Sequence, residues 1–220
     1  MIPDPDLDPD RRLALAYVPA AVRPAMEALW RLDVTLGAVL AGGREPMIGR
    51  IRLAWWREAL EALDRGPPPP APLLRALAAH VLPAVRGAEL AAMEAGWAEL
   101  LADGTLTERG LKDYAEARGG ALFRHSARLL GLPDHPVGPA GARWALVDVA
   151  RRSADPDEAS TAFALAAAID TETSWPRQLR PLGMLSVLNR RDLAGGAGTW
   201  EKQGSPARML VMARHRLTGR

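Results

Sequence analysis

The 220-residue chain has no cysteine. That absence excludes a disulfide scaffold, a thiolate zinc site and a thiol nucleophile. Lysine is nearly missing: 26 of the 28 basic residues are arginine, the exceptions being Lys112 and Lys202. With the many Ala, Gly and Pro residues, this bias points to a GC-rich coding sequence more than to a special partner. Runs of β-branched residues are absent, as is the apolar/polar alternation of a half-buried strand. No stretch approaches the roughly 18 uninterrupted apolar residues that mark a membrane-spanning helix. The segment PDPDLDPD after Met1-Ile2 is acidic and has no apolar core of a signal peptide, so a cytoplasmic location is expected, with peripheral membrane association as the alternative. What the chain has in quantity is apolar surface: 48 % of its residues are hydrophobic, enough for a substantial core.

Charge is unevenly spread. Trp175 to Arg220 carries eight Arg and Lys202 against Asp192 and Glu201, a net of +7, while the preceding 174 residues carry a net of −5. A basic region beside an acidic body suits an anionic surface, and it suits intramolecular pairing equally well. Trp175, Trp200, Met209, Leu210, Val211 and Met212 are the apolar anchors such a surface would use. No nucleic-acid partner is expected.

Ala-, Leu-, Arg- and Glu-rich segments alternate with short Pro/Gly breaks, which predicts an all-α chain. The clearest helix covers Met47 to Leu63, where Ile48, Ile51, Trp55, Ala59 and Leu63 recur at three- and four-residue steps, with Trp56 and Leu60 widening the stripe. Pro46 suits its first turn. Another helix covers about Ala21 to Leu40, and the short GGREP connection makes the two an antiparallel pair with Trp55 mostly buried between helices. GPPPPAP, residues 66–72, breaks the chain between helical hairpins. Further helices are expected near 73–85, 88–102, 107–131, 139–153, 157–169, 176–192 and 205–218, with Thr107 as an N-cap and Asp155 to Glu158 forming a first turn. One domain over residues 1–220 is the natural reading, with an acidic tail at 1–10.

The chemistry-bearing residues are sparse. His80, His125, His135 and His215 lie far apart and form no metal-binding spacing, so no metal site of imidazoles is expected. No serine sits in a G-x-S-x-G elbow, and the glycines at 195–198 do not form a phosphate loop. Carboxylates four residues apart on facing helices could hold Mg²⁺ against a diphosphate. Asp4/Asp8 and Asp6/Asp10 are interrupted by prolines, and Glu99/Asp103 stands alone at a helix end. The double tryptophan in GRIRLAWWREAL (residues 49–60) is the most distinctive feature. Trp55 and Trp56 could wall an apolar pocket with Arg50, Arg52 and Arg57 near an anionic head group. Interhelical packing is the more common role for such a stripe.

The stretch EPMIGRIRLAWWREALEAL (residues 45–63) resembles the EP-x-x-G-x-IRLQWWRDAL signature of bacterial squalene/phytoene synthase family proteins. VPAAVRPAMEALWRLDVTLG resembles the family's first long helices, LKDYAEARGGALFRHSARLLG resembles its LEAYADATAGALLRLAALLLG segment, and WPRQLRPLGMLSVLNRRDL resembles its C-terminal helix. The resemblance implies an all-α isoprenoid-synthase fold. Its active members join two prenyl diphosphates head to head, using two Asp-rich motifs that bind Mg²⁺ and an apolar pocket that holds carbocations away from water.

Against that pattern, the first motif is reduced to Asp33, with Gly37 four residues on. The second is reduced to Asp148, with Arg152 four residues on. Tyr114 matches the first of two expected tyrosines, and Ala117 stands at the second. An arginine in place of a carboxylate reverses the local charge. The family also contains a branch with no obvious catalysis, including mitochondrial complex I assembly factors, and the chain resembles that branch more closely. The expectation is therefore a non-catalytic protein that binds a prenyl lipid, an anionic membrane surface or a protein such as a respiratory-complex subunit. The alternative is a Mg²⁺-dependent head-to-head synthase, in which Asp33, Asp148 and Tyr114 would be the catalytic candidates and Mg²⁺ the cofactor. Arg52, Trp55, Trp56 and Arg57 are the substrate-binding candidates under either reading.

Overall fold

The computed structural model describes residues 6–41, 46–101, 105–171 and 174–220. Helices account for the architecture, and no strand occurs among the described residues. They run in the order α1 (Pro9–Ala16), α2 (Arg23–Ala41), α3 (Pro46–Ala62), α4 (Pro72–His80), α5 (Gly87–Ala91), α6 (Met93–Glu99) and α7 (Glu108–Tyr114). A π-helical turn (Ala115–Gly120) leads into α8 (Ala121–Leu129), followed by α9 (Gly138–Arg152) and α10 (Pro156–Ala168). A 3₁₀ turn (Arg177–Leu179) then opens α11 (Arg180–Gly195), and α12 (Pro206–Thr218) follows.

Local chemistry sets many of these starts. Asp8, Thr107, Asp155 and Ser205 each accept backbone N–H groups that would otherwise be orphaned at a helix N-terminus. Proline sits in the first turn of α1, α4, α9, α10, α11 and α12, where no N–H is needed. The expected acidic tail is thus partly helix: Asp8 caps α1, and Pro9 and Asp10 form its first turn. The single helix expected over 88–102 is two, α5 and α6, and that over 107–131 is interrupted by the π turn. Asp103, of the lone Glu99/Asp103 pair, lies outside the described residues.

The core is built around α2. Met26, Leu29, Trp30, Leu32 and Leu36 are fully buried, and the helix packs on α3, α4, α6 and α8. The Trp30 indole N–H donates to Ser126 Oγ at 3.1 Å, so burying the ring orphans no donor. The tightest crossing brings α9 against the π turn. A Cβ on Gly119 would lie 2.1 Å from the Gly141 carbonyl oxygen, and a Cβ on Gly141 equally close to that of Gly119. Only glycine at both positions permits this backbone approach.

One expectation about α3 is corrected. Trp55 is 50 % exposed, with Met47, Ile48 and Ile51 exposed beside it. The buried face is Gly49, Leu53, Trp56, Ala59 and Leu60, continued by Leu63. Both stripes satisfy helical spacing. Packing decides between them: α3 lies against α2, α5 and α6, which cover the second stripe, and Leu101 sits 2.9 Å from where a Cβ on Gly49 would be. Trp55 then stands edge-on to the Trp56 ring, centroids 5.1 Å apart, on the outer side.

Candidate functional site

The site grows from a charge placed where charge is costly. Asp33 lies on the core face of α2 between Leu29, Leu32 and Leu36 and is fully buried. An isolated carboxylate there would cost several kcal/mol of lost hydration. Two arginines offset it. Arg118 forks onto it, Nε donating to Oδ1 at 2.8 Å and Nη2 to Oδ2 at 3.1 Å, while Arg11 Nη1 donates to Oδ2 at 2.8 Å. Arg118 comes from the π turn, Arg11 from α1.

The network continues both ways. Arg118 Nη1 donates to the Tyr114 hydroxyl and, at 2.8 Å, to Asp148 Oδ2 on α9. Asp148 Oδ1 accepts from Arg152 Nε at 2.7 Å, and Arg11 Nε donates to Asp8 Oδ2 at 2.5 Å. The result is an alternating chain, Asp8–Arg11–Asp33–Arg118–Asp148–Arg152. The Arg118 guanidinium also lies over the rings of Trp97 at 4.1 Å, Trp144 at 4.6 Å and Tyr114 at 5.5 Å. Arg11 lies 5.2 Å from the Trp144 ring. Planar guanidiniums suit this combination of forked pairing and stacking.

Protonation follows from the packing. Burial pushes the Asp148 carboxyl up, but Arg118 and Arg152 outweigh it and hold the group well below the usual carboxylate range. Burial pushes the Tyr114 phenol up, against the opposing pull of Arg118, so it stays protonated. Burial disfavours the Arg118 charge, yet Asp33, Tyr114 and Asp148 together keep it firmly protonated.

Arg11, Tyr114, Arg118, Asp148 and Arg152 of this cluster line part of a cavity of about 550 Å³. Val34, Gly37, Ala38, Trp97, Leu100 and Leu106 supply much of its apolar wall; Arg118, Asp148, Arg152 and Glu158 supply polar lining. Gly37 has a specific role here. A Cβ at this position would come within 2.7 Å of the Trp97 ring. The indole therefore occupies the space that a side chain one turn after Asp33 would need.

Of the residues singled out in the sequence, Asp33, Asp148 and Tyr114 are brought together. Arg52, Trp55, Trp56 and Arg57 lie on α3 and are not among the cavity's lining residues. Trp56 is buried in the core, Arg52 is exposed, and Arg57 reaches Glu94 only at 3.9 Å. The residues that sequence reasoning missed are Arg118, Arg11, Trp97 and Trp144. Arg118 carried a signal: it stands one helical turn after Tyr114, among small residues, where the resembling family stretch has threonine.

A second buried network ties the basic region to the body. Arg208 is held between Asp10, with Nε to Oδ2 at 3.0 Å, and Asp192, with Nη1 to Oδ1 at 2.5 Å. Arg151 Nη2 completes it at 2.9 Å from Asp192 Oδ2. Among the expected anchors, Trp175 and Met212 are buried, Trp200 and Val211 are half-buried, and only Met209 and Leu210 are exposed. No helix among the described residues is long and apolar enough to cross a membrane.

The family model for squalene/phytoene synthase matches residues 6–169. The chain belongs to that family, and its fold is the all-α bundle of the isoprenoid-synthase type. No curated protein and no solved structure gives a significant match.

The metal that the family implies can be tested against these residues. A bound Mg²⁺ demands near-octahedral oxygen ligation, with carboxylates facing the metal and the substrate phosphates. Here each oxygen of Asp33 and Asp148 accepts from a guanidinium, and Arg118 occupies the space between the two carboxyls. No group of three or more potential ligands occurs among the described residues. The residues present do not fit the metal.

Proposed function

We propose that this chain uses the isoprenoid-synthase fold to bind an isoprenoid chain in its central cavity and does not catalyse head-to-head condensation. The observation that carries this reading is the guanidinium of Arg118 between Asp33 and Asp148. Diphosphate departure needs mobile cations that neutralise charge as it develops. Arg118 is instead a fixed cation whose charge is already neutralised by two carboxylates. The apolar wall and the volume of the cavity suit one small ligand, being within the usual range of about 300–1,000 Å³.

The test is incubation of the protein with farnesyl or geranylgeranyl diphosphate and Mg²⁺, with and without NADPH as hydride donor, followed by analysis of both hydrocarbon and coupled diphosphate products. No product above a no-protein control is expected. Product that disappears in Asp33→Ala or Asp148→Ala would instead establish the synthase reading.

Two surfaces support an additional docking role. Met47, Ile48, Ile51 and Trp55 form an exposed apolar row on α3, suited to a protein partner. In the basic region, exposed Met209, Leu210 and Leu217 accompany Arg177, Arg214 and Arg220, a composition suited to peripheral contact with an anionic membrane. Co-sedimentation with anionic vesicles that weakens with salt would support the membrane contact; equal partitioning to neutral vesicles would sink it.

A further inference from the structure

The polar end of the cavity bears on what kind of head group it accepts, and the following rests on the reading of the cavity as an isoprenoid site. We propose that it takes a chain with an uncharged oxygen head, an alcohol or a carbonyl, in preference to a prenyl diphosphate, and that the Tyr114 hydroxyl is the donor that meets this oxygen.

Three observations lead there. First, the positive charge at this end is already spent. Arg11 is paired with Asp8 and Asp33, Arg118 with Asp33 and Asp148, and Arg152 with Asp148. Three guanidiniums face three carboxylates, and Glu158 on the cavity wall adds a further negative charge. A diphosphate entering here would find Arg11 and Arg118 buried in their pairs, and could draw only on Arg152, 60 % exposed, by taking it from Asp148.

Second, the Arg118 side chain has no slack to re-aim. Its nitrogens donate to Asp33, Asp148 and Tyr114, and it is packed among the rings of Trp97, Trp144 and Tyr114. Turning it toward an anionic ligand would leave the fully buried Asp33 with Arg11 alone.

Third, Tyr114 is one of the cavity's lining residues although only 1 % exposed, and its hydroxyl accepts from Arg118, which leaves the phenol's own proton to be given to an oxygen that reaches it. Burial keeps that proton on. A neutral hydroxyl is a good donor to another neutral oxygen, and it offers a multiply charged phosphate little compensation for desolvation. At about 550 Å³ the cavity lies within the usual range for a site that holds one small molecule.

The experiment titrates the full-length protein with farnesol, geranylgeraniol and the corresponding diphosphates, delivered in the same detergent, once with EDTA and once with Mg²⁺. Tryptophan fluorescence is the readout, since Trp97 lies in the cavity wall. The expected result is binding of each alcohol at least tenfold tighter than its diphosphate, with a ratio that Mg²⁺ leaves unchanged. Tyr114→Phe, which keeps the ring, is expected to weaken alcohol binding by about three- to tenfold, the worth of one neutral hydrogen bond. Diphosphate binding as tight as alcohol binding, or tightened by Mg²⁺, overturns the uncharged-head assignment while leaving the isoprenoid reading in place. Binding of neither ligand overturns both. Unchanged alcohol affinity in Tyr114→Phe overturns the donor role.

Discussion

Replacing Arg118 by methionine removes the cation at the centre of the bundle while keeping much of the side-chain volume. Asp33 then retains only the Arg11 contact at 2.8 Å, and Asp148 only the Arg152 contact at 2.7 Å. Two guanidiniums would face the three carboxylates of Asp8, Asp33 and Asp148. Removing one partner of a buried ion pair typically costs about 3–5 kcal/mol, because the remaining charge is left without compensation. For a chain of this size each kcal/mol shifts the unfolding midpoint by about 2–4 °C, so a fall of about 6–20 °C is expected.

The pH dependence carries a definite sign. The depressed Asp148 carboxyl contributes stability that is complete above its unfolded-state value near 3.8 and is lost only as pH falls through the lower folded-state value. In Arg118→Met only Arg152 remains to oppose burial, so that carboxyl climbs back and the contribution shrinks. The unfolded carboxyl is common to both proteins, so the deficit should stay level from pH 7 to pH 5, while the variant's folded Asp148 remains ionised, and should narrow as pH falls through that group's value, which the loss of Arg118 raises back toward 3.8. Urea unfolding of both proteins at pH 7, 5 and 3 measures this. A deficit under about 1 kcal/mol at pH 7, the range of an exposed pair, or one that grows on acidification, would refute the reasoning.

Two further outcomes follow from the same packing. Trp56→Ala should cost about 3–5 kcal/mol in urea unfolding because the ring is 9 % exposed, whereas Trp55→Ala, at 50 % exposed, should cost much less; the reverse order would place the wrong tryptophan in the core. Arg208→Met should destabilise by about 3 kcal/mol or more through the stranded Asp10 and Asp192, while Arg191→Ala, which loses only an exposed pair with Glu201, should cost under about 1 kcal/mol by the same assay.

Much of the fold was legible because helix signals are local. The caps at Thr107 and Asp155 and the break at GPPPPAP act through neighbours a few residues away. Helix α1 was not, because its proline-rich start reads as an irregular tail until Asp8 is seen to cap it. The face of α3 was misread because two stripes, one through Trp55 and one through Trp56, fit the same period. The choice depends on how α2, α5 and α6 pack on α3, contacts made by parts of the chain distant in sequence. In the site, Asp33, Asp148 and Tyr114 were legible through the family resemblance. Arg118 was one arginine among 26, and its place one turn after Tyr114 among small residues does not by itself show that it turns inward. What does so is the wide π turn and the glycine crossing with α9, both set by tertiary packing.

The pairing of Asp10 with Arg208 spans 198 positions along the chain. At a synthesis rate of about 5–20 residues per second, these partners leave the ribosome roughly 10–40 s apart. During that interval α1, only eight residues long, lacks the surface of α12 that completes its burial, and Asp10 must wait in water. The seam therefore closes late, after the body against which α1 lies has formed. A chaperone that held α1 loosely through this period would act on a segment whose native partner is made 198 residues later, and a substitution at Arg208 would prolong that exposure as well as weaken the finished protein.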